Sequence, residues 1–167
     1  MKWMKVLLCV CGVMTSAAAL AAPTIDTTSS KYAALVMDAD TGEVLFSRNA
    51  DEKRYPASLT KMMTLYMLFE AMNKGDVTLD TRMSVSKRAA SQPQTNISLK
   101  EGQTIPVRDA IKALVVRSAN DVALVVAEHL GKTEWSFAQM MTAKARSLGM
   151  RSTNYRNPHG LPDVKQY

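Results

Sequence analysis

Ser58 and Lys61 are the two residues of this 167-residue chain whose types and spacing could do chemistry together. A serine hydroxyl is a poor nucleophile until a neighbouring base removes its proton. Residues three apart lie on the same face of a helix, so the lysine amine can come within hydrogen-bond reach of the serine. The amine must be neutral to act as a base, and burial lowers the pKa of a lysine because it disfavours the ammonium form. The spacing therefore predicts a serine nucleophile activated by a lysine.

The segment that follows Ser58 has the composition of a buried helix. Apolar residues fall on nearly every side of it from Leu59 to Met72, and Gly75 supplies a stop signal. A helix that is apolar all round lies in the core of a domain, so Lys61 in its first turns is unusual. We expect Ser58 at the N-terminus of this helix, where the helix dipole favours developing negative charge.

A second Ser-x-x-Lys sequence at 84–87 limits what the spacing alone can establish. No long apolar helix follows Ser84 and Lys87, and we expect a solvated polar segment there. For the first copy taken alone, a helix-capping serine with a lysine that reaches out to solvent explains the pattern as well as a catalytic pair does. The assignment needs support from elsewhere in the chain.

That support comes from Ser118-Ala119-Asn120, which lies in the break between two apolar helical segments. Ser-x-x-Lys, Ser-Asp-Asn and Lys-Thr-Gly together form the signature of serine β-lactamases and penicillin-binding proteins. With Ser-Ala-Asn as its middle motif, the chain resembles the D-alanyl-D-alanine carboxypeptidases, the low-molecular-weight penicillin-binding proteins of the S11 serine peptidase family. The matching segments, in the order of the family, are 35–38, 41–45, 56–64, 117–121 and 157–162.

The resemblance implies a role for each residue of the site. Ser58 would attack the carbonyl between two D-alanines of a peptidoglycan stem peptide, forming an acyl-enzyme, while Lys61 takes its proton. Ser118 would relay protons toward the leaving group, and Asn120 would hydrogen-bond the amide of the substrate. A helix N-cap and a turn residue are the alternative roles for these last two. His159 would line the cleft, and β-lactam antibiotics would block the site covalently.

The third motif, Lys-Thr-Gly, does not occur in the sequence. In the family it supplies the cation for the substrate carboxylate and an edge strand that completes the oxyanion hole. Lys132-Thr133-Glu134 is no substitute, because it lacks the glycine and lies where a helix should begin. We therefore expect residues 31–167 to be the N-terminal part of the peptidase domain, with C-terminal strands missing and little or no turnover. A D,D-endopeptidase that cuts cross-links with the same residues, and an inactive remnant or binding protein, remain alternatives.

The implied fold is the α/β serine β-lactamase and penicillin-binding-protein transpeptidase fold, with an antiparallel sheet flanked by helices. A mostly helical subdomain would carry Ser118. The sequence pattern predicts a β-hairpin of strands 32–37 and 43–47, short strands near 83–85 and 97–99, and further helices over 107–116, 119–130 and 133–148.

The first 21 residues have the layout of a secretory signal peptide. Lys2 and Lys5 precede an apolar run at 6–13 and a stretch of small residues. We expect cleavage there, a short leader over 22–30, and export to the periplasm or cell envelope. Both cysteines, Cys9 and Cys11, would leave with the signal, so no disulfide is expected in the exported part.

Charge and composition exclude several kinds of partner. The net charge of +6 is spread without a basic run, which argues against nucleic acid. His129 and His159 show no metal-ligand spacing, and we expect neither a metal nor a cofactor. The expected partners are peptidoglycan stem peptides and β-lactams, with peripheral membrane association in a full-length form.

Overall fold

The computed structural model describes residue 29 and residues 31–167. The predicted signal peptide, and all of the predicted leader except Ser29, lie outside the described residues. The elements in chain order are β1 (Ala34–Met37), β2 (Val44–Arg48), a 3₁₀ turn (Ala57–Leu59), α1 (Thr60–Lys74), β3 (Arg82–Ser84), α2 (Lys87–Ala90), β4 (Thr104–Pro106), α3 (Val107–Arg117), α4 (Asn120–Gly131) and α5 (Glu134–Ser147).

Two antiparallel ribbons account for the strands of the described residues: β1 pairs with β2, and β3 pairs with β4. The predicted hairpin is confirmed. Its turn is held by Asp38, whose carboxylate accepts the main-chain N–H of Asp40 at 3.1 Å and of Thr41 at 2.7 Å, as expected of an Asx turn.

The predicted strand at 97–99 is wrong. The amides of Ile97 and Leu99 donate to the carboxylate of Asp121, at 3.2 and 3.1 Å, instead of to a neighbouring strand. A side chain from a distant helix therefore takes the hydrogen bonds that a sheet would have used.

The four longer helices agree with the sequence pattern because their ends are set locally. Gly75 closes α1 in the left-handed conformation at φ 80°, which glycine adopts without strain. Thr133 caps α5 by accepting the N–H of Ser136 at 3.0 Å. The short helix α2 was not predicted, and it begins at Ser86, whose hydroxyl accepts the N–H of Ala89 at 3.0 Å.

Helix α4 is the centre of the core, with every residue from Asn120 to Ala127 buried. It packs against α1, α3 and α5. Helix α1 buries only one face, and on the other Met62 is 68% exposed. The expectation that α1 is surrounded on all sides is therefore wrong, because its packing partners in the described chain all lie on one side.

The hairpin of β1 and β2 exposes apolar side chains on both of its faces. Leu35 and Val36 are successive residues, so they point to opposite faces, yet they are 51% and 50% exposed. The hairpin and the outer face of α1 each expose apolar side chains in the described part of the protein. None of the helices in that part is long and apolar enough to cross a membrane.

Candidate active site

Ser58 lies in the 3₁₀ turn that leads into α1, and its side chain is exposed. The residues that flank the turn and the helix, Pro56 and Leu59, make no side-chain capping bond, and the one hydrogen bond of Ser58 Oγ within the described residues is with Lys61 Nζ. The hydroxyl of Ser58 is thus not used as a helix cap. It stands at the helix N-terminus, where the unpaired backbone amides and the dipole favour negative charge.

Lys61 is buried beside this hydroxyl. Its Nζ lies 3.4 Å from Ser58 Oγ and donates to the main-chain oxygen of His159 at 2.7 Å. Lys61 is 3% exposed, so it does not reach out to solvent. Burial lowers the pKa of Lys61 from 10.5 to about 8. This serine–lysine pair therefore combines hydrogen-bond contact with an amine of which about a tenth is neutral at pH 7.

The turn at 157–161 covers the lysine and is fastened to α1. Thr64, one helical turn after Lys61, donates its hydroxyl to the main-chain oxygen of Pro158 at 2.6 Å. Inside the turn, the side-chain oxygen of Asn157 accepts the N–H of Gly160 at 2.7 Å. The role of Thr64 was missed, and its only sequence signal is a small polar residue in an apolar helix, three positions after the lysine.

Gly160 brings this turn against the backbone that precedes Ser58. Its φ is +89°, and a Cβ atom at this position would overlap the main-chain carbonyl of Ala57. Glycine is therefore required both by the backbone conformation and by the close approach of two main chains. The contact fixes the 157–161 turn relative to Ser58.

The imidazole of His159 does not point at the serine–lysine pair, although the resemblance placed this residue at the cleft. It is 5% exposed, its Nδ1 accepts the N–H of Leu161 at 3.2 Å, and its Nε2 lies 3.4 Å from Glu134 Oε1. What His159 contributes at Lys61 is its main-chain oxygen.

Ser118 and Asn120 hold the 93–99 loop. Ser118 ends α3 in the left-handed conformation at φ 52°, and its main-chain oxygen accepts the hydroxyl of Thr95 at 2.9 Å. The side chain of Asn120 is buried and donates to the main-chain oxygen of Pro93 at 3.0 Å. Within residues 31–167 no hydrogen bond joins Ser118 or Asn120 to the serine–lysine pair, so their roles toward substrate remain predictions.

Asp121 lies in the matching segment 117–121, where the sequence assigned it no role. It is 1% exposed, and its carboxylate accepts the N–H of Ile97, Leu99 and Val122. A carboxylate at the start of an otherwise apolar helix was the signal available in the sequence. Asp121 and Asn120 together fasten the 93–99 loop to α4.

The second Ser-x-x-Lys copy has none of this environment. Ser84 ends β3, Lys87 begins α2, and both are exposed, as expected for a solvated polar segment. Among the described side chains no group of three or more His, Cys, Asp or Glu is placed to hold a metal ion.

The family model of the S11 peptidases, described as D-alanyl-D-alanine carboxypeptidase, matches residues 16–167. The chain belongs to this family. The carboxypeptidase DacF of Bacillus subtilis (strain 168) is 34% identical over 134 residues, which are 80% of this chain and 34% of that protein. A D-alanyl-D-alanine endopeptidase of Pseudomonas aeruginosa is 33% identical over 129 residues, 77% of this chain and 40% of that protein.

Solved structures place the S11 chain in the same fold. The D-alanyl-D-alanine carboxypeptidase DacD from Francisella tularensis superimposes with a TM-score of 0.80 at 35% identity, covering 83% of this chain and 34% of that one. Penicillin-binding protein 5 from Haemophilus influenzae gives 0.78 at 29% identity, covering 89% and 43%. The predicted α/β penicillin-binding-protein fold is thus confirmed. The chain spans about a third of the length of the curated relative DacF.

Proposed function

We propose that this S11 chain carries the nucleophile and base of a serine-type D-alanyl-D-alanine carboxypeptidase that acts on peptidoglycan stem peptides and is acylated by β-lactams. The observation that carries the proposal is the buried Lys61, with its pKa lowered to about 8, in contact with the exposed Ser58. Export to the periplasm or cell envelope is part of the proposal, supported by the signal-peptide pattern of the first 21 residues.

The reaction begins with transfer of the Ser58 hydroxyl proton to Lys61 Nζ as Oγ bonds to the carbonyl carbon between the two D-alanines. Collapse of the tetrahedral intermediate breaks the bond to the terminal D-alanine nitrogen, which receives the proton through Ser118. Water then hydrolyses the ester on Ser58. The exposed hydroxyl at a helix N-terminus is suited to the first step, because developing negative charge is stabilised there.

A fluorescent penicillin tests the proposal on the purified chain. We expect covalent labelling of the parent, loss of the label in Ser58→Ala, and full labelling of Ser84→Ala, the matched change in the second Ser-x-x-Lys copy. A label that persists in Ser58→Ala would remove Ser58 from its role. A parent that takes no label would favour the rival in which the chain is an inactive remnant or binding protein.

The alternative of an inactive remnant or binding protein concerns the 167-residue chain, whose sequence contains no Lys-Thr-Gly. Without this motif we expect the 167-residue chain to release little or no D-alanine from a stem pentapeptide. Efficient release would show that another group supplies the carboxylate-binding cation.

Endopeptidase activity is the second candidate, favoured by the 33% identity to the Pseudomonas aeruginosa endopeptidase. The same serine–lysine pair would cut the D-alanyl bond of a cross-link instead of a free terminus. Parallel assays on a stem pentapeptide and on a cross-linked dimer, with a product that carries all three motifs, separate the two activities.

A further inference from the structure

Glu134 connects α5 with α2 and with the 157–161 turn. It is the first residue of α5, and its side chain is 14% exposed. Oε2 pairs with the guanidinium of Arg88 from α2, and Oε1 lies 3.4 Å from His159 Nε2. Both oxygens of the carboxylate are therefore directed at cationic or N–H groups, and nothing in the proposed reaction uses them.

The hydrogen bond at the other ring nitrogen fixes which face of His159 meets Glu134. Nδ1 accepts the N–H of Leu161 at 3.2 Å, so in the neutral imidazole Nε2 carries the hydrogen. That hydrogen faces the carboxylate. The N–H of His159, and after it the guanidinium of Arg88, hold the pKa of Glu134 below its ordinary value, although burial raises it.

His159 thus makes contacts at two ends. Its side chain faces Glu134, and its main-chain oxygen accepts from Lys61 Nζ at 2.7 Å. A ring held at its far side fixes the peptide that carries this oxygen. The same peptide lies against the buried amine, and burial is what lowers the pKa of Lys61.

We propose that Glu134 is a positioning residue for Lys61: it anchors His159 and so keeps the 157–161 turn closed over the amine. This inference rests on the proposed role of Lys61 as the base. The alternative is that Glu134 only stabilises the N-terminus of α5, as acidic residues in a first helical turn do. The two readings differ in whether the state of Lys61 depends on Glu134.

Glu134 lines a cavity whose other charged side chains enter the design of the test. These are Arg88, Glu128, Lys132, Arg156 and Asp163. Glu128 is the matched control, because it lines this cavity and binds the hydroxyl of Ser86 at 2.9 Å but has no contact with His159 in the described chain.

The test follows the titration of Lys61 by NMR in chains labelled with ¹³C-lysine, with the signal assigned by its loss in Lys61→Arg. In Glu134→Ala we expect the pKa of Lys61 to rise from about 8 to about 9 or above, because the turn loosens and water reaches the amine. The rate of penicillin labelling should then fall about eightfold at pH 7.5 and recover near pH 10, following the neutral fraction of the amine. Glu128→Ala should change neither quantity.

A second variant keeps the inference testable if Glu134→Ala does not fold. Arg88 is largely exposed, so Arg88→Gln should fold normally. This variant removes the ion pair that holds Glu134 and leaves the contact of Glu134 with His159. It should therefore raise the pKa of Lys61 by a smaller amount than Glu134→Ala does. An unchanged Lys61 titration in whichever of the two variants folds would overturn the inference. Because the titration needs no substrate, absence of labelling in the parent would count against the proposed function alone and would leave this comparison standing.

Discussion

Replacement of Lys61 by methionine should change how the stability of the chain depends on pH. In the folded chain the pKa of Lys61 is about 8, against 10.5 for the solvated side chain. Between these two values the unfolded chain binds more protons than the folded one, so the free energy of unfolding of the parent rises with pH. Below pH 8 both states are protonated, and the parent bears the full cost of a buried ammonium.

The size of the effect follows from the two pKa values. At about 1.4 kcal/mol for each pKa unit, lowering from 10.5 to about 8 corresponds to about 3 kcal/mol. Between pH 7 and pH 9.5, a range suited to experiment, the parent should recover about 2 kcal/mol of this. Lys61→Met has no ammonium to lose, but it leaves the oxygen of His159 unpaired, at a cost of about 1–3 kcal/mol. The parent and Lys61→Met are therefore compared by how their free energies of unfolding depend on pH, and not at a single pH.

Urea denaturation of the parent and of Lys61→Met at several pH values between 7 and 9.5 measures the difference. Groups that titrate alike in both chains cancel. The exposed Lys87 of the second Ser-x-x-Lys copy provides the control, since Lys87→Met should differ from the parent by an amount that does not vary with pH. If the difference between the parent and Lys61→Met is also constant, to within about 0.5 kcal/mol, the amine is not desolvated and the argument for a neutral base fails.

Two further substitutions test the contacts that hold the 157–161 turn and the 93–99 loop. Gly160→Ala should lower the free energy of unfolding by about 2 kcal/mol or more, because the positive φ and the collision with the carbonyl of Ala57 act together. Gly149→Ala is the control, since Gly149 has a positive φ but open space around it. Its free energy of unfolding should fall by only about 1 kcal/mol in the same urea titration. Equal losses would show that the collision is relieved at no cost. Asp121→Ala should lower the free energy of unfolding by about 3 kcal/mol, because it leaves three main-chain N–H groups unpaired. It should also speed amide hydrogen exchange at Ile97. Unchanged exchange would show that the 93–99 loop is held by other contacts.

The features that the sequence predicted well are local. Asp38 sets the hairpin turn, Gly75 ends α1, and Thr133 begins α5, each through contacts with residues at most five positions away. The Ser58–Lys61 contact belongs with them, because the helix geometry alone brings the two side chains together.

The features that the sequence did not predict are long-range or depend on main-chain atoms. The segment 97–99 is a loop and not the predicted strand, because its amides donate to the carboxylate of Asp121 in α4. Main-chain oxygens of Pro158 and His159 complete the surroundings of Thr64 and Lys61, and a main-chain oxygen has no residue-type signature. The contact between Glu134 and His159 likewise exists only because the fold brings α5 and the 157–161 turn together.

The hydrogen bond between Lys61 and the oxygen of His159 also ties the proposed chemistry to complete folding. The proposed nucleophile and base are three residues apart, but the group that closes over the base comes 98 residues later. Closing so long a loop has an entropy cost that the local contact between Ser58 and Lys61 does not have. Wherever that closure is not formed, Lys61 is solvated and burial no longer lowers its pKa. We therefore expect a partly folded chain to carry Ser58 beside a charged amine, without a neutral base.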